Sequence, residues 1–435
     1  MKMKKWLILL CMSMQIMAAE ELTVVAVGEA ELEREEMYFN LNIVGGLSTK
    51  NAQLGREIFD LLVRDFSFYR SLFSINKSEG ILINKKSGYL VNLKITPSKK
   101  GVTFIDVGIE CNDNQKNKLV FSEKQDVSEG NLRTLGHSVA DSIFQIIVGK
   151  KSIFDSFIVF VSDIETRDRN FPIKELYRMD FDGFGKKRLT FHRGTVISPE
   201  ISKDNRYVLY SLLKNEVTKD RRVNLYMLDL LTNKTSLISS RKGINSGAVF
   251  MPDGKHIALT LSHTDNAEIY ALNLESGNLR KITNHFAIDV DPSISKDGTL
   301  MAFLSSRPGE AHIYTLDPRS VEKDVTRVSF VGKFNATPRF SPDGKKIAFA
   351  SWLDERFDIF SIDANRKNLV RLTKDFGSNE DPTWSSDSQF IAFSSQRVIT
   401  TSKAVHNIYI MTEEGNIIGP ITNNFGMSIS PRWSN

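Results

Sequence analysis

Apolar and polar positions follow two different rhythms in the first 150 residues. At 23–27, 38–44, 89–96, 102–110 and 118–122 they alternate with a period of two, which predicts strands. At 50–66 the spacing is helical, with Leu54, Ile58, Leu61 and Leu62 on one face. A second helix is predicted at 129–148, where Leu132, Leu135, Val139, Ile143 and Ile147 share a face and Gly149 supplies the stop. These elements predict an α/β domain at 20–150. The short link Lys150-Lys151-Ser152 joins it to the rest of the chain.

Beyond the link the pattern becomes a repeat. One unit reads as an x-P-x-x-S-x-D-G step, an I-A-F-x-S strand, an I-Y-x-x-D strand and a closing R-x-I/L-T strand. Its clearest copy holds Pro338, Ser341, Pro342, Asp343 and Gly344, then Ile347-Ala348-Phe349-Ala350, Asp358-Ile359-Phe360 and Val370-Arg371-Leu372-Thr373. The start recurs at Pro199, Ala248, Pro292, Pro338, Pro382 and Pro431, at intervals of 49, 44, 46, 44 and 49. Four short strands per unit and about 40 to 50 residues per repeat are the signature of a propeller blade. Six starts predict an all-β six-bladed β-propeller over 154–435, which is 47 residues per blade. The last start, Ser430-Pro431-Arg432-Trp433-Ser434, has no strands after it, and the missing ones are at 157–162, 176–180 and 188–190. One blade is therefore shared between the two ends of the propeller segment, which closes the ring and removes open sheet edges.

The Asp-Gly pairs Asp253-Gly254, Asp297-Gly298 and Asp343-Gly344 are read as hairpin turns. A calcium loop would need a D-x-D-x-D-G run with a distal Glu, which does not accompany them.

The start of the chain adds a location. Lys2, Lys4 and Lys5 precede an apolar run from Trp6 to Met17, followed by Ala18 and Ala19. A largely apolar run of twelve residues falls short of the roughly 20 that span a bilayer, so residues 1–19 are read as a Sec signal peptide and the mature chain as not membrane-spanning. Removing them lowers the formal net charge from +5 to +2, and no basic, aromatic-interleaved stripe remains to suggest nucleic acid. Cys111 is then the single thiol, so no internal disulfide can form.

Candidate chemistry is sparse. None of the seven histidines forms an H-E-x-x-H or i,i+4 pair, and no second mature cysteine can complete a zinc site. Gly136-His137-Ser138-Val139-Ala140 only partly matches the nucleophile elbow and lies within a helical pattern, so Ser138 is read as a helix residue. No catalytic set, metal ligand or cofactor is assigned. Carboxylates do gather before the repeat prolines, as Asp289 and Asp291 before Pro292 and Glu380 and Asp381 before Pro382. Repeat symmetry sends them to one channel mouth, together with Asn245, Ser246 and Thr337. They could be solvated turns, a glycosidase- or lyase-type acid/base pair, or a rim that receives a partner. The partner rim is preferred, because no His, Lys or Arg set repeats with them.

Three features together resemble the TolB family, the periplasmic component of the Tol-Pal envelope system. They are the blade unit 338–373 with its relatives, the segment Gly136-His137-Ser138-Val139-Ala140-Asp141 running through Ile143-Phe144 to Gly149, and the terminal Pro431-Arg432-Trp433-Ser434. The resemblance covers nearly the whole mature chain. It implies a monomeric, non-enzymatic periplasmic scaffold without cofactors. Such a scaffold supports outer-membrane integrity, cell division and protein import, with Pal, TolA and other outer-membrane proteins as partners. Carried over by position, it implies Pal-facing Ser246, Asp289, Val290, Asp291, Thr337 and Asp381. It also implies a TolA-binding segment of Glu21, Leu22, Thr23, Val24, Val25, Ala26, Val27 and Gly28. The sequence departs from the pattern at Ala248-Val249-Phe250-Met251, at Asp387-Ser388 in place of Asp-Gly, and in the acidic stretch 29–36. Two enzymes on six-bladed propellers, prolyl peptidases and sugar lyases, are the alternative. The first needs a hydrolase domain and the second a histidine cluster, and the sequence has neither.

Overall fold

The computed structural model describes residues 34–80, 86–168, 170–214, 222–400 and 403–435. The leader at 1–19, the strand expected at 23–27 and the segment 21–28 lie outside the described residues.

The first part contains β1 (Glu35–Ile43), α1 (Thr49–Phe68), β2 (Phe73–Glu79), β3 (Tyr89–Pro97), β4 (Ile105–Asp113), β5 (Lys118–Val127) and α2 (Leu132–Val148). The five strands form one sheet in the order β2-β1-β3-β4-β5. β1 runs parallel to both its neighbours, and β3, β4 and β5 are antiparallel. Ser48 caps α1 by accepting the Asn51 N–H at 3.2 Å. Gly149 ends α2 in the left-handed conformation, φ 76°. The helices touch at Gly136, where a Cβ would sit 2.3 Å from Leu61 Cδ2. β2 has no counterpart among the predicted strands: Phe73 and Ile75 are its only apolar residues and the run from Asn76 to Glu79 is polar, so the alternation is too short to mark it. β4 begins at Ile105 rather than at 102, because 102–103 form a turn.

The remainder is six four-stranded antiparallel sheets. Five are continuous in sequence, with innermost strands Thr195–Ile201, Asn245–Phe250, Asp289–Ile294, Phe334–Phe340 and Ser378–Trp384, the first to fifth blades. The sixth pairs the C-terminal strand Ser428–Trp433 with Phe157–Ser162, followed by Glu175–Asp180 and Lys187–Arg188. Trp433 fixes this closure by donating its indole N–H to Ser156 Oγ at 2.8 Å, while the Phe157 N–H donates to Ser434 Oγ at 2.9 Å.

The repeat letters have physical reasons. In the turns after four of the innermost strands a serine hydroxyl donates to an aspartate, among them Ser295 to Asp297 at 2.7 Å and Ser341 to Asp343 at 2.6 Å. Gly254, Gly298 and Gly344 take φ of 67°, 72° and 76° there, and Ser388 adopts 63° without glycine's freedom. The closing threonine is a buried bridge: Thr373 donates to Asp358 at 2.8 Å and accepts the Ile359 N–H at 2.9 Å. Thr190 with Glu175 and Thr283 with Glu268 repeat it.

Strand direction defines two faces of the propeller. Innermost strands begin at the top face, and the Ser-x-Asp turns lie at the bottom. The two helices pack against the bottom of the closure and fifth blades. Tyr69 is fully buried there; its hydroxyl donates to Asp387 at 2.7 Å and accepts the Ile153 N–H at 3.0 Å. Phe66, Phe144 and Phe154 share one apolar cluster with Phe181, Phe390 and Trp433 of the propeller. No helix among the described residues is long and apolar enough to cross a membrane.

Candidate functional site: the channel mouth

Every innermost strand bends at the same step. Ser198, Gly247, Asp291, Thr337, Asp381 and Ser430 all have positive φ, between 49° and 58°. All six sit at a register shift in the pairing with the second strand of their blade. A left-handed residue at a bulge re-aims the side chain, and five of these six are not glycine. Holding a non-glycine residue there costs about 1 kcal/mol or more, so the surrounding sheets must impose the geometry. Adjacent innermost strands touch around the whole ring, so the six residues form one layer at the top of the channel.

The sequence-predicted positions divide into two groups. Asp291, Thr337 and Asp381 belong to the left-handed layer, while Ser246 and Val290 immediately precede it. Asp291 accepts from Arg339 at 3.1 Å, Asp381 accepts from the Ser430 hydroxyl at 2.9 Å, and Thr337 Oγ1 is buried without a hydrogen-bond partner. Asp289 lies elsewhere. Its fully buried carboxylate pairs with Arg307 at 2.7 Å, and Arg307 reaches Glu322 at 2.7 Å. Burial pushes the Asp289 carboxyl above its usual range against the opposing pull of Ser305 and Arg307. Asn245, Asn335, Asn379 and Ser428 occupy the same position in other blades and are equally buried; Asn245 and Asn379 use it to reach Val223 O and Asp358 of the preceding blade, at 2.9 and 3.2 Å.

A second layer lies two residues further along the strands: Glu200, Val249, Ser293, Arg339, Thr383 and Arg432. Arg432 donates to Glu200 at 3.2 Å and to its neighbour Pro431 O at 2.7 Å. Ser293 and Thr383 accept the Phe340 and Trp433 N–H groups of the next blade. Burial raises the Glu200 carboxyl, opposed by Arg432 and Arg339. Burial likewise depresses Arg432, with Arg339 adding to the effect, whereas for Arg339 the charges of Asp291 and Glu200 outweigh it and raise the group. Glu200, Asp291 and Asp381 thus face two guanidiniums, leaving one formal negative charge. Beneath this layer a cavity of about 800 Å³, flanked by Trp384 and Trp433, opens toward the bottom.

Sequence reasoning missed Ser198, Ser430, Glu200, Arg339 and Arg432. All five stand in the same repeat columns as residues it named or next to them, so repeat alignment alone carries the signal. The motif around His137 has a structural role. Nδ1 of its ring lies 2.7 Å from Asp65 and Nε2 lies 3.0 Å from Arg133, which reaches Asp180 and Asp182 of the propeller. His137, Asp180 and Asp182 are close enough to share an ion, but the Arg133 guanidinium already serves all three. Ser138 is exposed on α2.

A closed six-bladed propeller carrying an α/β unit on one face, with a polar, pre-shaped mouth on the other, defines the class. Residues 144–338 and 322–435 match the model of the TolB beta propeller domain, and the chain belongs to that family. The Tol-Pal system protein TolB of Francisella tularensis subsp. tularensis is 28% identical over 267 residues, 61% of this chain and 59% of that protein. A TolB homolog of Chlorobium chlorochromatii is 32% identical over 190 residues, 44% of this chain and 40% of that one. The chain therefore spans about three fifths or less of these relatives' length. The crystal structure of TolB from Acinetobacter baumannii superposes with a TM-score of 0.74 at 25% identity, covering 92% of this chain and 97% of that one.

Proposed function

We propose that this chain is a non-enzymatic periplasmic scaffold of the Tol-Pal envelope system. It receives Pal at the top mouth of the channel and engages TolA through residues 21–28. Membership in the TolB propeller family supports the assignment to that system and a role other than catalysis. The observation that carries the Pal site is the left-handed layer. A binding surface whose backbone is already fixed loses little entropy on association, and this one lies on the face opposite the two helices. In this reading Asp291, Thr337 and Asp381 contact Pal, Ser246 and Val290 flank them, and Asp289 positions the strand through Arg307. In the same reading the segment 1–19 acts as the leader that directs the mature chain to the periplasm.

Calorimetric titration of the mature protein with the soluble domain of Pal from the same genome tests this. The expected result is saturable 1:1 binding, weakened at least tenfold by Asp291→Lys and by Asp381→Lys. Wild-type affinity in both variants would remove the mouth as the site.

A further inference from the structure

The mouth residues are buried or half-buried, and a stable interface needs roughly 800 Å² from each partner. The missing area has a source on one side of the ring. In the fifth blade the second and third strands, Phe390–Thr400 and Lys403–Thr412, are 11 and 10 residues long, whereas the second strands of the other blades have 5 to 8. The extension rises from the top face. The innermost strand accompanies it only as far as Ser378, opposite Gln396, and the fourth strand only along Tyr409–Met411. Beyond those points it carries Val398 and Ile399, 75% and 58% exposed.

The fourth blade continues this surface. Phe334 and Trp352 lie partly open there, and Phe357 joins them through ring contacts of 6.0 and 5.0 Å. Phe330, 74% exposed, lies in the loop that leads from the third blade into the fourth, under the Arg327 guanidinium at 4.6 Å. The Phe357 N–H donates to Ser378 Oγ, next to the base of the extension, three residues before Asp381 on the same strand. That bond sets the fourth-blade cluster against the strand that carries Asp381. Large exposed apolar side chains are concentrated on the same face: Phe191, Phe286 and Ile288 lie in loops that lead into innermost strands at the top. Contiguous apolar surface with a polar centre marks a protein-binding face.

We propose that the fifth-blade extension and the fourth-blade aromatic cluster form an apolar shelf that seats one flank of the folded domain bound at the mouth. The proposal rests on the Pal reading above and assigns that interface a second, apolar contact area that the mouth residues do not supply. Because Val398, Ile399 and Phe330 are exposed, polar replacements remove contact area without opening a core.

The test is titration of the mature protein with the soluble domain of the same Pal. It compares wild type, the double variant Val398→Asp with Ile399→Asp, Phe330→Ser, and Leu237→Asp on the outer strand of the first blade. The shelf predicts at least tenfold weaker binding for the double variant, several-fold weaker binding for Phe330→Ser and no change for Leu237→Asp, with all four giving the same thermal midpoint. Wild-type binding with a double variant within twofold of it would overturn the shelf and leave the mouth reading standing. Equal weakening by Leu237→Asp would also overturn the shelf. A wild-type protein that does not bind would remove both readings.

Discussion

Single residues in this propeller are chosen for backbone geometry as much as for contacts. Asp297 illustrates this at a turn. Its carboxylate accepts from the Ser295 hydroxyl and from the Thr299 N–H and hydroxyl, and these bonds hold its pKa at about 2 against an ordinary 3.8. A carboxyl depressed in the folded state contributes stability that is complete above the unfolded value and lost as pH falls through the folded one. Asp297→Asn should therefore lower the urea midpoint relative to wild type above pH 4, and the difference should close between pH 4 and pH 2. A difference that stays constant down to pH 2 would locate the benefit in turn geometry instead of charge. Sequence reading identified this aspartate as a turn residue, because the Asp-Gly pair states its conformation locally. It did not identify the left-handed state of Thr337 or Ser430, because a threonine or serine before proline carries no such mark; the bulge arises only when the strand pairs.

Within a blade, the stabilising element is the buried bridge between the third and fourth strands. Thr373 joins the Ile359 N–H to Asp358, and Asp358 is further held by Arg371 through its other oxygen. Thr373→Val keeps the shape but leaves the N–H unpaired in a fully buried site and deprives Asp358 of one donor. The expected cost is about 1 to 3 kcal/mol in urea unfolding, and a loss under 0.5 kcal/mol would mean that Asn379, 3.2 Å from the same aspartate oxygen, compensates. Elements of this kind were legible where a repeat column preserved them. The blade count, the shared closure blade and both helices follow from spacing. β2 was not legible because Phe73 and Ile75 are its only apolar residues, and its polar end gains its place only by parallel pairing to β1. Among the site residues, Asp291, Thr337 and Asp381 fell where symmetry predicted. Asp289 stood one alternation away and turned into the blade, because its column holds buried polar residues in every relative of the repeat except Val196.

Across the whole molecule, the apolar cluster around Phe66, Tyr69 and Phe144 does not stop at the link between the two parts; it continues through Phe154 and Phe181 to Phe390 and Trp433. Inter-domain contacts in most chains are modest and allow independent motion, whereas here the largest aromatic core is shared. Tyr69 adds a hydrogen bond to Asp387, and the Arg133 pairs with Asp180 and Asp182 tie α2 to the closure blade. Two parts that share a core should unfold together. The mature sequence offers separate reporters: its tryptophans, Trp352, Trp384 and Trp433, are all in the propeller, and its one thiol, Cys111, is in β4. Burial pushes that thiol up to about 12, so in the folded protein it should resist alkylation. Tryptophan fluorescence and Cys111 alkylation, followed through the same urea series, should then give coincident transitions. Alkylation that rises at a clearly lower urea concentration than the fluorescence change would show that the α/β unit opens on its own. In that case the shared cluster would be a docking contact between two independently stable units rather than a common core.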